Sequence, residues 1–198
     1  AIACLLAVYA TSQYLFFRWD LTAEKRYSIS DQTKKLMKGI KGDIKVKIYL
    51  DGDLNAGFLK LRKDTKEMLD EFQAYSDADF EYEFINPSAA KDEKDRDKKY
   101  AELEKKGLHL IIDNEDKDED GQSITRIVCP WAEISYKGKT IAVNLLSDVT
   151  GKSREDKLNN SSENLEYTLT DALRQLTSKN INKIAFIEGH GELPEILT

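Results

Sequence analysis

Polarity along the chain is uneven from its first residues. Residues 1–17, AIACLLAVYATSQYLFF, carry no charge, and the chain then turns abruptly into RWDLTAEKRYSIS. An α-helix rises about 1.5 Å per residue, and crossing a bilayer takes roughly 20 apolar residues. The run falls just short of that. The chain has no initiator Met and starts inside the apolar run, so residues 1–17 are expected to be the C-terminal part of a transmembrane helix. Tyr9, Tyr14, Phe16, Phe17 and Trp19 gather toward its far side, as aromatic residues do at a membrane–water interface. A buried core helix is the alternative, and Ser12 and Gln13 argue for it. A cleavable leader is a further alternative, but no small-x-small site convincingly precedes the RWDLT junction.

Beyond the junction the periodicities alternate between helix and strand. Ser30 is placed to cap a short helix, DQTKKLMK, that stops at Gly39, with Thr33 at the third position making the capping box imperfect. Ile44–Leu50, IKVKIYL, alternates apolar and lysine residues with period two and is the clearest strand. The turn DGDLNAG leads into a helix from about Phe58 to Tyr75, with Leu61, Thr65, Met68, Leu69 and Phe72 on one stripe. Phe80–Ile85 reads as a second strand with Phe80, Tyr82 and Phe84 inward, ended by Asn86-Pro87. A crossover of this length predicts parallel pairing in a right-handed unit.

Lys91–Lys106 reads as a surface helix laced with Asp92/Arg96, Asp95/Lys99 and Glu102/Lys106 pairs at i,i+4 spacing. Its apolar stripe is reduced to Tyr100 and Leu103. Strands are predicted over Leu108–Asp113, Ser123–Cys129, Trp131–Tyr136 and Thr140–Leu146, the last two joined by a hairpin turn at Lys137-Gly138-Lys139. Residues 147–162 read as a polar loop. A helix is expected from about Glu163 to Ser178, with Leu165, Leu169, Ala172, Leu173 and Leu176 aligned, and a strand over Lys183–Ile187. This order predicts an α/β fold. Residues 44–178 would form a thioredoxin-like sandwich, with helices on both faces of a mixed sheet. Residues 18–43 would be a juxtamembrane segment, and 183–198 the truncated start of a second α/β domain.

Composition narrows the function more than the fold. A third of the residues are charged and the net charge is −6, with both signs interspersed. That balance argues against nucleic acid, which favours a basic patch. Cys4 and Cys129 are far apart, so they supply no disulfide framework, zinc spacing or CxxC redox centre. Without CxxC, a thioredoxin-like domain reads as a binding scaffold. No P-loop, GxGxxG, Gx-Ser-x-Gly or HExxH occurs, so the chain is not expected to bind nucleotide, and no cofactor is expected.

Two clusters carry candidate chemistry. Asp116-x-Asp118-x-Asp120-Gly121 copies the first half of a calcium-binding EF-hand loop, in which hard oxygen ligands converge around a tight glycine turn. The pattern fails at its twelfth position, Ile127, and strands flank it, so a solvated hairpin loop is the default and no metal is assigned. Glu188, His190 and Glu192 alternate around Gly189 and Gly191 after a predicted strand, where ligands bind in open α/β sheets. Such a trio could hold a metal or move protons, but one histidine without a second nearby favours a structural turn or ligand binding over catalysis. His109 sits in an apolar strand and reads as a packed or solvated residue.

Three segments resemble a known family. RWDLTAEKRYSIS with DQTKKLMKGIKGDIKVKIYL, then NLEYTLTDALRQLTS over Asn164–Ser178, then KIAFIEGHGEL over Lys183–Leu193, are similar to GldG-like proteins. These are the auxiliary, extracytoplasmic components of gliding-motility-type ABC transporters. The family's membrane-proximal motif falls here on Asp20, Leu21, Thr22, Lys25, Arg26, Tyr27 and Ser28, and its GHGE motif on Gly189, His190, Gly191 and Glu192. The resemblance implies a membrane helix followed by a domain on the periplasmic side of a bacterial inner membrane, beside a separate permease and ATPase. It also implies that residues 183–198 open an amidotransferase-like module regarded as non-catalytic. The acidic loop over 113–121 matches no family motif and reads as an insertion.

The expected function is therefore a non-enzymatic, membrane-anchored accessory subunit that binds a partner protein or substrate, the substrate itself being illegible. The rival is a hydrolase or amidotransferase-like enzyme completed by a further domain, with His190 and Glu192 contributing. A calcium-dependent adhesion module built on the acidic loop is a third reading.

Overall fold

The computed structural model of the chain describes residues 29–114 and 121–178. The apolar run, the motif from Asp20 to Ser28, Asp116, Asp118 and Asp120 of the acidic loop, and everything from 179 onward lie outside the described residues.

Helix α1 (Asp31–Gly39) begins where Ser30 Oγ accepts the Thr33 N–H at 3.3 Å. Asp31 in its first turn and Lys38 in its last oppose the helix dipole. Strand β1 (Ile44–Ile48) buries Ile44, Val46 and Ile48 and exposes Lys45 and Lys47, as its period-two pattern requires. Leu50 continues the same face into the core. At the bend after it, Gly52 has φ +107°, and a Cβ there would meet the Asn86 side chain at 2.6 Å. A side chain there would be strained by that φ and would displace Asn86.

Helix α2 (Ala56–Tyr75) starts slightly earlier than its hydrophobic stripe suggests, because Asn55 Oδ1 caps it by accepting the Phe58 N–H at 3.0 Å. Phe58, Leu61, Thr65, Leu69 and Phe72 are buried, and Thr65 satisfies its hydroxyl on the Leu61 carbonyl. Strand β2 (Phe80–Phe84) runs parallel to β1, with Ile44 beside Phe80 and Ile48 beside Phe84. Phe80 is buried, whereas Tyr82 and Phe84 are half-buried because β2 lies at the sheet edge.

Helix α3 (Glu93–Lys105) is the predicted surface helix, but its ion pairs differ. Lys98–Asp95 and Lys99–Glu102 form at i,i+3, Arg96 donates to the Ala90 and Lys91 carbonyls, and Lys106 leaves the helix for Glu133. Strands β3 (Ile111–Asp113) and β4 (Arg126–Val128) make a short antiparallel arm separate from the main sheet. Leu108 does not extend β3. It is fully buried in a small cluster with Tyr49, Leu103 and Cys129.

Strands β5 (Trp131–Tyr136) and β6 (Lys139–Asn144) form the expected hairpin. Lys137 and Gly138 have φ +48° and +78°, a two-residue turn whose twist matches that of the strands. Helix α4 (Arg154–Thr177) corrects the reading of residues 147–162 as loop from Arg154 onward, while 147–153 are loop as expected. It starts nine residues before Glu163, because Ser153 Oγ accepts the Asp156 N–H at 3.1 Å and Leu158 and Ser161 extend the buried stripe of Leu165 and Leu169. The Asn/Ser-rich run disguised a helix whose polar residues mostly face solvent, apart from Ser161, which bonds the Lys157 carbonyl and the Ser147 N–H. Ser153→Ala is therefore expected to cost about 1 kcal/mol in urea unfolding. An unchanged midpoint would place the helix start downstream.

The architecture is mixed α/β. The sheet order is β2-β1-β5-β6, with β1 parallel to β2 and antiparallel to β5. Helices α1, α2 and α4 bury one face together with Ile134, Tyr136 and Val143. The close α2–α4 crossing uses Gly57, whose missing side chain leaves room for Leu158. The opposite face is not covered throughout, as helices on both faces would require. Helix α3 meets it at the Tyr49 end, and Lys45, Lys47, Glu81, Glu83, Thr140 and Ala142 stay exposed. Among the described residues no helix is long and apolar enough to cross a membrane.

Candidate functional site

The chemistry-bearing side chains among the described residues gather in three places. The first lies past the carboxyl end of β1, where the chain turns into α2. Asp113, at the end of β3, has a fully buried side chain. Its Oδ2 accepts from Asn55 Nδ2 at 2.8 Å, and its Oδ1 accepts from Arg154 Nη1 at 3.2 Å. On the paired strand Arg126 sits opposite Asp113 and reaches Asp53 at 3.0 Å. Each residue arrives by simple local logic. Asp113 and Arg126 point inward because Ile112 and Ile127, their neighbours in sequence, point outward and are exposed. Asn55 caps α2, and Arg154 opens α4. The network ties the arm to the first turns of two helices. Both oxygens of Asp113 are bonded, one to each helix start, so the network clamps the arm.

The second place joins α1 to α4. Glu166 Oε1 accepts the Ser30 backbone N–H at 2.8 Å and the Thr33 hydroxyl at 2.6 Å, and Thr33 also meets the Thr170 hydroxyl at 3.3 Å. Burial pushes this carboxyl up, but the bonds from Thr33 and Ser30 outweigh it and hold the group below its ordinary value. Ile29, just before Ser30, is 2% exposed. Ser30 and Thr33 are thus fixed to α4. The partners come from two of the segments that carry the family resemblance, separated by more than a hundred residues.

The third is the open sheet face. Lys45 pairs with Glu81 at 3.3 Å and Lys47 with Glu83 at 3.6 Å across the β1–β2 register. At its covered end Tyr49 donates to Glu133 at 2.6 Å, and Lys106 donates to both oxygens of the same carboxylate at 3.0 and 3.1 Å. Burial raises the Tyr49 hydroxyl well above its ordinary pKa, and the adjacent Glu133 carboxylate adds to the shift. Burial also pushes Glu133 up, but the bonds from Tyr49 and Lys106 win and its pKa is lowered.

Cys129 is 1% exposed, and burial pushes its thiol up to about 12. It is a packed side chain. Iodoacetamide at neutral pH is expected to leave Cys129 unmodified in the native chain and to label it in urea. Equal labelling in both would contradict this packing. His109 is exposed, with Nδ1 3.0 Å from Glu104 Oε2 and its ring edge-to-face with Trp131, which agrees with a solvated residue. No group of three or more His, Cys, Asp or Glu side chains is placed to hold a metal among the described residues.

Glu188, His190 and Glu192 lie outside the described residues, as do Asp20, Leu21, Thr22, Lys25, Arg26, Tyr27 and Ser28. Sequence reasoning misses Asp113 and Glu166. A faint signal exists for each: Asp113 ends an apolar run in phase with Ile111, and Glu166 borders the α4 leucine stripe beside Thr170. Residues 23–135 match a family described as a domain of unknown function, DUF7088. No curated protein and no solved structure matches the chain.

Proposed function

The chain belongs to the DUF7088 family, a domain of unknown function, and from the sequence resemblance we propose that it is a non-enzymatic accessory subunit of an ABC transporter complex of gliding-motility type. In this reading it is anchored in a bacterial inner membrane, holds its domain on the periplasmic side, and works beside a permease and a separate ATPase. The domain is thioredoxin-like. Support for that comes from a parallel β1–α2–β2 unit, then an antiparallel β5–β6 hairpin, then α4 packed back beside α2. At the β1–α2 bend, where such a fold would need thiols for redox work, stand Asp51, Gly52, Asp53, Leu54 and Asn55.

One observation carries the proposal. Glu166 fastens the segment after the membrane-proximal motif to α4, the helix that ends at Thr177 and leads toward the GHGE-containing segment. The domain is then a rigid block between a membrane anchor and a second domain, which suits a subunit held against a permease. On this reading residues 183–198 open that second, amidotransferase-like domain, and Glu188, His190 and Glu192 bind rather than catalyse. Sodium carbonate extraction of membranes from cells making the natural full-length protein is expected to leave it in the pellet. Release into the supernatant would sink the anchor.

A further inference from the structure

Strand β2 is one of the two outer strands of the described sheet, β6 being the other. Its phase is fixed by two bonds: the Asp79 carbonyl accepts the Ile44 N–H at 2.8 Å, and the Ile85 N–H donates to the Ile48 carbonyl at 2.7 Å. Odd-numbered residues of β2 therefore address β1, and Phe80, Tyr82 and Phe84 turn their backbone groups outward. The Phe80 carbonyl is taken by Gln73 Nε2 at 2.8 Å. That leaves Tyr82 and Phe84 along a straight, unbulged edge without proline, the kind of edge to which another strand adds. An open groove of about 710 Å³, lined by Gln73, Tyr82, Glu81, Glu83, Lys45 and Lys47, runs past the strand.

Side chains choose the occupant. Glu81 and Glu83 project on the open sheet face, each with its side chain 60% exposed. Tyr82 and Phe84 lie half-buried on the other face with their rings 6.2 Å apart. A strand added here meets, on one side, two half-exposed carboxylates that each still have room for a second cation beside the β1 lysine they pair with, and on the other two rings, Phe84 under Arg62 and Tyr82 donating to Asp70. The same chain already contains such a strand: β1 pairs with β2 by setting Lys45 beside Glu81 and Lys47 beside Glu83, with Val46 beside Tyr82. A second copy's β2, FEYEF, is excluded because an antiparallel pair would set glutamates of the two copies against each other.

We propose that the outer edge of β2 is a docking site for an extended partner segment in which lysine or arginine alternates with apolar residues. The segment pairs with the Tyr82 and Phe84 backbone and sets its cations on Glu81 and Glu83. The edge belongs to the described domain and does not depend on a permease or an anchor.

The test is titration of the isotope-labelled full chain, held in detergent micelles, with a capped peptide of alternating valine and lysine. A counterpart peptide with glutamate for lysine is the control. Amide shifts at Tyr82 and Phe84, with slowed hydrogen exchange there, are expected from the lysine peptide and not from its counterpart. Glu81→Gln/Glu83→Gln, which keeps side-chain shape, should weaken binding roughly tenfold, and Glu81→Lys/Glu83→Lys at least as much. The proposal is overturned if both peptides bind alike. It also fails if the shifts map to β6, or if the lysine peptide leaves Tyr82 and Phe84 unchanged at millimolar concentration.

Discussion

Asp113→Ala is expected to lower the unfolding free energy by about 3 kcal/mol. The carboxylate has a fully buried side chain and accepts from two side chains of different helices, so its loss removes a charge-assisted bond to Arg154 and strands Asn55. Asn55 is 8% exposed, so an Nδ2 that loses its acceptor is costly to leave unpaired. The same residue caps α2 through its other amide atom, so a displaced Asn55 also weakens that helix start. Asp113→Asn keeps the volume but turns one acceptor into a donor, and it should fall between the two. The double variant Asn55→Ala/Asp113→Ala should lose less than the sum of the single losses, since the two residues share one bond. Urea denaturation with a double-mutant cycle reads all of this. A loss for Asp113→Ala within the range of surface substitutions would mean the arm is not clamped.

Glu166→Ala should cost about 2 kcal/mol, by removing the acceptor for the Ser30 N–H and the Thr33 hydroxyl. Glu166→Gln retains an acceptor and should recover about half of that. The pH dependence has a definite sign. The folded pKa of Glu166 is depressed below the reference 4.5, so its contribution is complete above that value. It is lost as pH falls below 4.5 through the lower folded pKa. Wild type and Glu166→Gln should therefore converge in stability as the solution is acidified through that window, while differing at neutral pH. A constant difference across the window would show that the charge of Glu166 contributes nothing. Hydrogen exchange should also locate the effect, with faster exchange in the first turn of α1 and little change in β5 and β6.

Regular alternation and regular stripes make most of the fold legible. IKVKI can be nothing but a half-buried strand, and the Leu61–Phe72 stripe places α2 within two residues of its start. The parallel β1–β2 pair follows from crossover length. Two things are harder to see. The first half of α4 is written in Asn, Ser, Asp and Lys, and its helical state depends on the Ser153 cap, on Leu158 meeting α2 at Gly57 and on Ser161 bonding Ser147, which composition does not display. Leu108 reads as strand because it is apolar, yet it fills a cluster under α3 instead. The clamp and the junction are illegible for a related reason. Asn55 and Arg154 lie 58 and 41 residues from Asp113, and Ser30 and Glu166 lie 136 apart, so only the folded chain brings them together. The motifs around Ser30 and Glu166 are visible separately through the family resemblance; their meeting is not.

We propose that this domain is a fixed part of a transporter. The most direct measurement is to tag the natural full-length protein, solubilise membranes in mild detergent, purify the complex and identify its components by mass spectrometry. The account predicts an ABC-type ATPase and a multispanning permease in constant proportion to the tagged chain, both reduced by Glu166→Ala. Recovery of the chain without either, from membranes that contain both, would contradict it.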